Sequence, residues 1–150
     1  SGEAGRLIAD ALFVRGAKNI TIVSRTRKNA DALAEQVGVR SDDFTSAMAR
    51  FGEFDIVVCA SGAGEIIGAE FVEKSVAKRN SPMFIIDLSV PKNVSEKCAL
   101  LDGVFLYDMR NLSEIANENM SQRKAEIERA RGIIAERAAA VSARLFGQKS

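Results

Sequence analysis

The sequence lacks several residues on which common catalytic sites depend. It contains no histidine and no tryptophan, and only two cysteines and two prolines, among its 150 residues. Without histidine, the usual zinc ligand sets and the Ser–His and Cys–His nucleophile pairs are excluded within this chain. Cys59 and Cys98 form neither a metal-ligand spacing nor a disulfide framework, which indicates a reducing, cytoplasmic location.

The sequence also lacks an excess of one charge and a long apolar run. Its 21 basic and 20 acidic residues give a formal net charge of +1, so nucleic-acid binding by this chain alone is not expected. No apolar run approaches the roughly 20 residues of a membrane helix, and we expect no membrane partner. The 47% of hydrophobic residues is enough for one domain with its own core.

The order of the predicted elements indicates a parallel α/β fold, because strands and helices alternate along the chain. The run at 55–60 is continuously apolar, which predicts a strand buried on both faces. Gly16 and Gly38 follow two of the predicted helices as stop signals. Strands are predicted at residues 20–23, 55–60, 83–87 and 104–107, helices at 3–15, 28–37 and 69–78, and a short helix after the cap at 41–43.

The first five residues resemble the second half of the dinucleotide fingerprint G-x-G-x-x-G. Gly2 and Gly5 stand three residues apart, directly before a helical apolar pattern. Glycines let a pyrophosphate approach the backbone, and the amino end of a helix offers free N–H groups and a partial positive charge. The first glycine and the strand before it are absent, so we expect a Rossmann-like doubly wound sheet without its first strand, in a chain excised from a longer one. The alternative is that the two glycines only form a turn.

The residues that follow the first predicted strand indicate which nucleotide binds. Ser24, Arg25 and Thr26 come at the separation from Gly5 that the fingerprint requires. An NAD site usually has an acidic side chain here, whereas a guanidinium and two hydroxyls suit a 2′-phosphate. The pattern therefore predicts NADPH and not NADH.

A second glycine-rich stretch offers a competing hypothesis. Gly62, Gly64 and Gly68 follow the strand at 55–60, and Asp87 ends the next strand, as if it were the acidic residue of an NAD site. However, the loop after the fourth strand of a doubly wound sheet lies over the nicotinamide end of the cofactor. One NADPH can therefore contact both the turn at Gly2–Gly5 and the loop at Ser61 and Gly62.

The C-terminal region differs from the rest of the chain. Residues 111–146 contain no proline, and Gly132 is their only glycine, which predicts a helix about 54 Å long at 1.5 Å per residue. Its apolar residues recur at a mean spacing near 3.6, as in a straight amphipathic helix. An exposed helix is one interpretation, and an arm that packs on a second subunit or a neighbouring domain is the other. The stripe consists of Ile127, Ala130, Ile134, Ala138, Val141 and Leu145.

Five segments of the sequence together resemble glutamyl-tRNA reductase in its NADPH-binding domain. They are the Gly-Glu-Ala-Gly turn, Ser-Arg-Thr at 24–26, Asp-Ile-Val-Val-Cys-Ala-Ser-Gly-Ala at 55–63, Ile-Asp-Leu-Ser-Val-Pro-Lys at 86–92 and Leu-Tyr-Asp at 106–108. The charged, alanine-rich helix at 119–136 is similar too. Ser-Arg-Thr is also similar to shikimate dehydrogenases, which lack the Val-Pro loop and the long tail.

The resemblance implies a division at residue 108 into an NADPH-binding domain, 1–108, and a helical linker or dimerisation segment, 109–150. It implies NADPH-dependent reduction of glutamyl-tRNA to glutamate-1-semialdehyde, in tetrapyrrole synthesis, by a homodimer. The catalytic cysteine and the contact with glutamyl-tRNA belong to an N-terminal domain that the sequence does not contain. The alternatives are a stand-alone NADP-binding or dimerising module without chemistry, and a shikimate-dehydrogenase-like domain.

The resemblance also assigns the residues that hold the cofactor, and it places none of the catalytic residues in this chain. Cys59 and Cys98 are expected to be packing residues. The expected cofactor contacts are Ser1, Gly2, Glu3, Ala4 and Gly5 at the pyrophosphate, Ser24, Arg25 and Thr26 at the 2′-phosphate, and Ser61, Gly62 and Val90 at the ribose and ring.

Overall fold

A computed structural model describes residues 2–147 and divides the chain between Asp108 and Met109 into two compact units. The first unit contains alternating helices and parallel strands, and the second is a single helix. The predicted α/β class with a long C-terminal helix is confirmed. The helices are α1 Gly2–Val14, α2 Arg27–Val37, α3 Phe44–Ala49, α4 Ala69–Val76 and α5 Met109–Phe146, and the strands are β1 Thr21–Ser24, β2 Arg40–Asp43, β3 Ile56–Cys59, β4 Met83–Asp87 and β5 Val104–Asp108.

Glycines end the first two helices, as the sequence predicts. Gly16 has φ 94°, and the N–H groups of Gly16 and Ala17 donate to the carbonyls of Phe13 and Leu12, both at 3.0 Å. Gly38, at φ 81°, donates to Ala34 at the end of α2. A left-handed residue at the end of a helix satisfies otherwise free carbonyls, and glycine adopts it without steric cost.

The strands form two parallel groups, β1-β2 and β3-β4-β5. In the doubly wound order 3-2-1-4-5-6 these groups correspond to strands 3-2 and 4-5-6. Among residues 2–147, β3 pairs with β4 alone. Ile56 is 53% exposed, so the prediction of a continuously buried strand is wrong at this residue.

β2 was not predicted as a strand. Its sequence, Arg-Ser-Asp-Asp, has no apolar residue, yet it pairs in register with β1 from Thr21↔Arg40 to Ser24↔Asp43. The predicted cap is also present, because the Asp43 carboxylate accepts the Ser46 N–H at 3.2 Å and opens α3. The strand therefore leads directly into the helix.

The main core lies on one face of β3-β4-β5, under α4 and two 3-10 turns at Phe51–Glu53 and Glu96–Leu100. Met83 and Ile85 of β4 are completely buried there, as is Val72 of α4. Alternate β4 residues point to opposite faces, and Phe84 stacks on Phe105 on the other face, with ring centroids 5.2 Å apart. The core residues are Phe51, Cys59, Ile67, Val72, Met83, Ile85, Val94, Cys98 and Val104.

The second unit is the 38-residue helix α5, about 57 Å long at 1.5 Å per residue. Residues of its predicted apolar stripe stay exposed: Ile127 by 52%, Ile134 by 67% and Leu145 by 64%. Among residues 2–147, no helix is both long enough and apolar enough to span a membrane.

Candidate nucleotide-binding site

The first turn of α1 contains four of the five residues predicted at the pyrophosphate; Ser1 lies outside the described residues. Gly2, Glu3 and Ala4 are exposed, and the first N–H groups of a helix have no partner within it. A Cβ on Gly2 would meet nothing within 4 Å, whereas one on Gly5 would lie 3.7 Å from Leu33 of α2. The turn thus presents free N–H groups over an unobstructed backbone, and Gly5 faces the neighbouring helix.

Ser24, Arg25 and Thr26 connect the carboxyl end of β1 to α2. Ser24 is half-buried, whereas Arg25 and Thr26 are exposed. Thr26 is the N-cap of α2, but its hydroxyl makes no capping hydrogen bond. Within residues 2–147, no hydrogen bond or ion pair engages the Arg25 guanidinium, although Arg27 binds Asp31 at 2.8 Å.

Two carboxylates of β2 stand beside the end of β1, which leads into this turn. Asp42 and Asp43 stand beside Val23 and Ser24 in the register of the two strands. A hydrogen bond from Arg50 lowers the pKa of the Asp42 carboxyl, and Asp43 caps α3. Both acidic side chains therefore bind residues that follow β2 in the chain, Arg50 and Ser46.

A buried carboxylate shapes the loop after β4. Asp87 is 3% exposed, and its oxygens accept the N–H groups of Ser89 at 3.0 Å, Asn93 at 2.8 Å and Val94 at 2.9 Å. Three N–H donors on one carboxylate bind the loop firmly to the end of β4, since charge-assisted hydrogen bonds are strong. The loop contains a cis Val90-Pro91 peptide and presents Val90 with 87% exposure.

Asn93 connects this loop with the loop after β3. Its Oδ1 accepts the Ser61 amide N–H at 3.2 Å and the Ser61 hydroxyl at 2.8 Å, and its Nδ2 donates to the Gly64 carbonyl at 2.7 Å. The Ser89 hydroxyl bonds both Asn93 and the Ser61 amide. The structure thus joins the Ser61–Gly62 and Val90 loops at the carboxyl edge of β3 and β4. Ser89 and Asn93 were not predicted as site residues, because their only signal in the sequence is their position after a strand.

The structure argues against a second dinucleotide fingerprint at Gly62–Gly68. α4 begins only at Ala69, so Gly62 and Gly64 do not open a helix. Asp87 already accepts three backbone N–H groups in a buried position, and a ribose would have to displace them. The carboxylate is a loop anchor.

Neither cysteine has the surroundings of a nucleophile. Burial, with a smaller effect of the Asp87 carboxylate, raises the pKa of the Cys59 thiol to about 12. Burial also raises the pKa of Cys98, with a further contribution from Glu65. A thiol of this kind stays protonated at neutral pH and reacts slowly. Among the described residues, no group of three or more Cys, Asp or Glu side chains could hold a metal ion.

Comparisons with known proteins place the chain in a family and give curated relatives. Residues 1–115 match the family Shikimate / quinate 5-dehydrogenase. Among curated proteins, the chain is 37% identical over 139 residues to a glutamyl-tRNA reductase of Chlorobaculum parvum, covering 91% of this chain and 33% of the relative. A glutamyl-tRNA reductase of Sulfurihydrogenibium sp. is 36% identical over 137 residues, covering 91% of this chain and 31% of the relative. The chain thus spans about a third of these relatives' length.

Solved structures give the same relationship. Glutamyl-tRNA reductase from Methanopyrus kandleri superposes with a TM-score of 0.73 at 28% identity, covering 97% of this chain and 37% of that one. The nucleotide binding domain of the enzyme from Thermoplasma volcanium gives 0.58 at 17% identity, covering 83% and 81%; this likeness supports the fold alone. The predicted resemblance to glutamyl-tRNA reductase is confirmed, and the chain belongs to the family described as Shikimate / quinate 5-dehydrogenase.

Proposed function

We propose that this chain is the NADPH-binding domain of a glutamyl-tRNA reductase. The observation that carries the proposal is Arg25: an exposed guanidinium, without a partner among residues 2–147, at the carboxyl end of β1. A cation that forms no internal ion pair at this position suits the 2′-phosphate on the adenosine ribose of NADPH. The relatives named glutamyl-tRNA reductase add independent support.

The groups on this edge fit the parts of NADPH in order. The free N–H groups at Gly2–Gly5 suit the pyrophosphate, with the helix dipole adding a favourable field. Ser24, Arg25 and Thr26 supply a cation and two hydroxyls for the 2′-phosphate. Ser61, Gly62 and Val90 form the rim for the ribose and the nicotinamide ring.

When bound, NADPH supplies a hydride, and the residues of this chain bind and orient the nucleotide. The reaction we propose for the whole protein is reduction of glutamyl-tRNA to glutamate-1-semialdehyde, for tetrapyrrole biosynthesis in the cytoplasm. Because both thiols of this chain are buried and stay protonated, we assign the nucleophile to a part of the protein outside this sequence. The resemblance to glutamyl-tRNA reductase assigns the contacts with glutamyl-tRNA to the same part.

We also propose that α5 forms a homodimer in the full protein. Ile127, Ile134, Val141 and Leu145 recur at helical spacing and are each more than half exposed. An exposed apolar stripe of this length is typical of a helix that packs on another helix.

Changing Arg25 to Ala tests the cofactor assignment. We expect the variant to weaken NADPH by about 1–3 kcal/mol, the loss of a charge-assisted contact, and to leave NADH nearly unchanged. The measurement is calorimetric titration of the wild type and the variant with each nucleotide. The matched control is Arg15→Ala, which removes an exposed arginine directly after the C-terminal end of α1. Equal weakening of NADPH and NADH would exclude a 2′-phosphate contact, and a wild type that binds neither would overturn the proposed function.

A further inference from the structure

Asn93 is a buried polar residue whose side chain has several hydrogen-bond partners. It is 1% exposed. Its side-chain oxygen accepts hydrogen bonds from the Ser61 amide and hydroxyl, and its side-chain nitrogen donates to the Gly64 carbonyl at 2.7 Å. The Ser89 hydroxyl is also bonded to it. One amide group therefore ties together residues on both loops.

The backbone of Asn93 extends the same connection. Its N–H donates to the Asp87 carboxylate at 2.8 Å, and its carbonyl accepts the N–H groups of Ile66 at 2.8 Å and Ile67 at 3.0 Å. Val94 forms a parallel bridge with Ile67. Because Asn93 bonds to both strand-end loops through its backbone and its side chain, these loops must move as one body or break several buried hydrogen bonds.

The residues held in this way are those proposed to flank the nicotinamide. Gly62, which follows Ser61, is exposed, and Val90, three residues before Asn93, is 87% exposed. Asn93 itself is buried. It can therefore set the separation of the two loop tips without touching a ligand between them.

We propose that Asn93 is a positioning residue for the nicotinamide end of the cofactor. It fixes the Ser61–Gly62 loop against the Val90 loop, so that the ring enters a preformed slot instead of ordering two mobile loops. This inference rests on the proposed function. It requires an amide in particular, because the group must accept from Ser61 and donate to Gly64 at the same time.

The substitution Asn93→Asp tests this requirement, because it keeps the size and shape of the side chain. The acceptor for Ser61 remains, but the donor to Gly64 becomes an oxygen that faces a carbonyl oxygen. The new carboxylate also lies near the Asp87 carboxylate, to which residue 93 is bonded through its N–H. We expect the two loops to separate while α1 and β1 keep their structure, because none of the hydrogen bonds of Asn93 within residues 2–147 goes to either element.

Two ligands separate a positioning effect from a general loss of structure. NADPH engages both ends of the site, whereas adenosine 2′,5′-bisphosphate carries only the adenosine half with its 2′-phosphate. We expect Asn93→Asp to weaken NADPH at least tenfold, about 1.4 kcal/mol, and to leave the bisphosphate within about twofold. Asn80→Asp changes an exposed asparagine and should change neither affinity. Ser89→Ala, which removes one bond to Asn93 and one to Ser61, should show the same split more weakly.

Each outcome bears on the proposal. Unchanged NADPH affinity in Asn93→Asp, or equal weakening of both ligands in a variant with a native circular dichroism spectrum, would overturn the positioning role and leave the proposed function intact. If Asn93→Asp does not fold, Ser89→Ala decides: the split supports the role, and its absence overturns it. A wild type that binds neither ligand would overturn both the proposed function and this inference.

Discussion

Asp87 gives the most direct test of how the carboxyl edge is built. Its carboxylate is buried, and it accepts three backbone N–H groups, from Ser89, Asn93 and Val94. In Asp87→Asn, the single remaining carbonyl oxygen can still accept from Asn93 and Val94, which share one carboxylate oxygen in the wild type. The new NH₂ group then faces the Ser89 N–H, so a donor opposes a donor.

The structure sets the size of the expected effect. A lost hydrogen bond to a charged group costs about 1.5–3 kcal/mol, and the change of the other two from charged to neutral weakens each by about 1 kcal/mol. Removing a buried charge offsets part of this cost. We therefore expect Asp87→Asn to lower the free energy of unfolding by about 2–4 kcal/mol.

The assay is urea denaturation followed by tyrosine fluorescence. Tyr107 is the only tyrosine, there is no tryptophan, and it lies on β5 beside β4, so its signal reports on the first unit and not on α5. Asp102→Asn changes an exposed carboxylate and serves as the control. If Asp87→Asn were within about 0.5 kcal/mol of the control, a range usual for surface substitutions, the carboxylate would not be the anchor of this loop.

Two further predictions concern Gly52 and Cys59 of the first unit. A Cβ on Gly52 would lie 2.1 Å from the carbonyl oxygen of Ser75, so Gly52→Ala should lower the free energy of unfolding by about 1–3 kcal/mol in the same assay. Gly68→Ala, where a Cβ meets nothing within 4 Å, is the control, and equal stabilities would contradict the close contact. The raised pKa of Cys59, about 12 against 9.0, favours the folded state while the thiol is neutral. The free energy of unfolding should therefore fall as pH rises from 9 towards 12, and it should fall less steeply in Cys59→Ala. Equal slopes for the wild type and the variant would refute this prediction.

The elements with strong local signals could be predicted from the sequence. β4 was predicted at its observed bounds, because four consecutive apolar residues followed by Asp87 form one run. The ends of α1 and α2 followed from Gly16 and Gly38, and α5 followed from a long stretch without proline. These features depend on near neighbours along the chain, and those neighbours are visible in the sequence.

Other features escaped prediction because distant residues decide them. β2 has no apolar residue, and only the neighbouring β1 makes it a strand. Ile56 was expected to be buried, but it is exposed, because among residues 2–147 β3 pairs on one side only. Asp87 has the sequence position of a ribose ligand, and the folded loop makes it an anchor.

The candidate site divides in the same way. The sequence by itself determined the chemical groups: glycines before a helix, a guanidinium after a strand, and serine and glycine at the end of another strand. Only the tertiary structure decided which groups are available, because a polar atom is free or engaged according to the partners that folding brings to it. The Arg25 guanidinium has no partner among residues 2–147. The Asn93 side chain, in contrast, is buried and accepts hydrogen bonds from Ser61, which is 32 residues away in the chain.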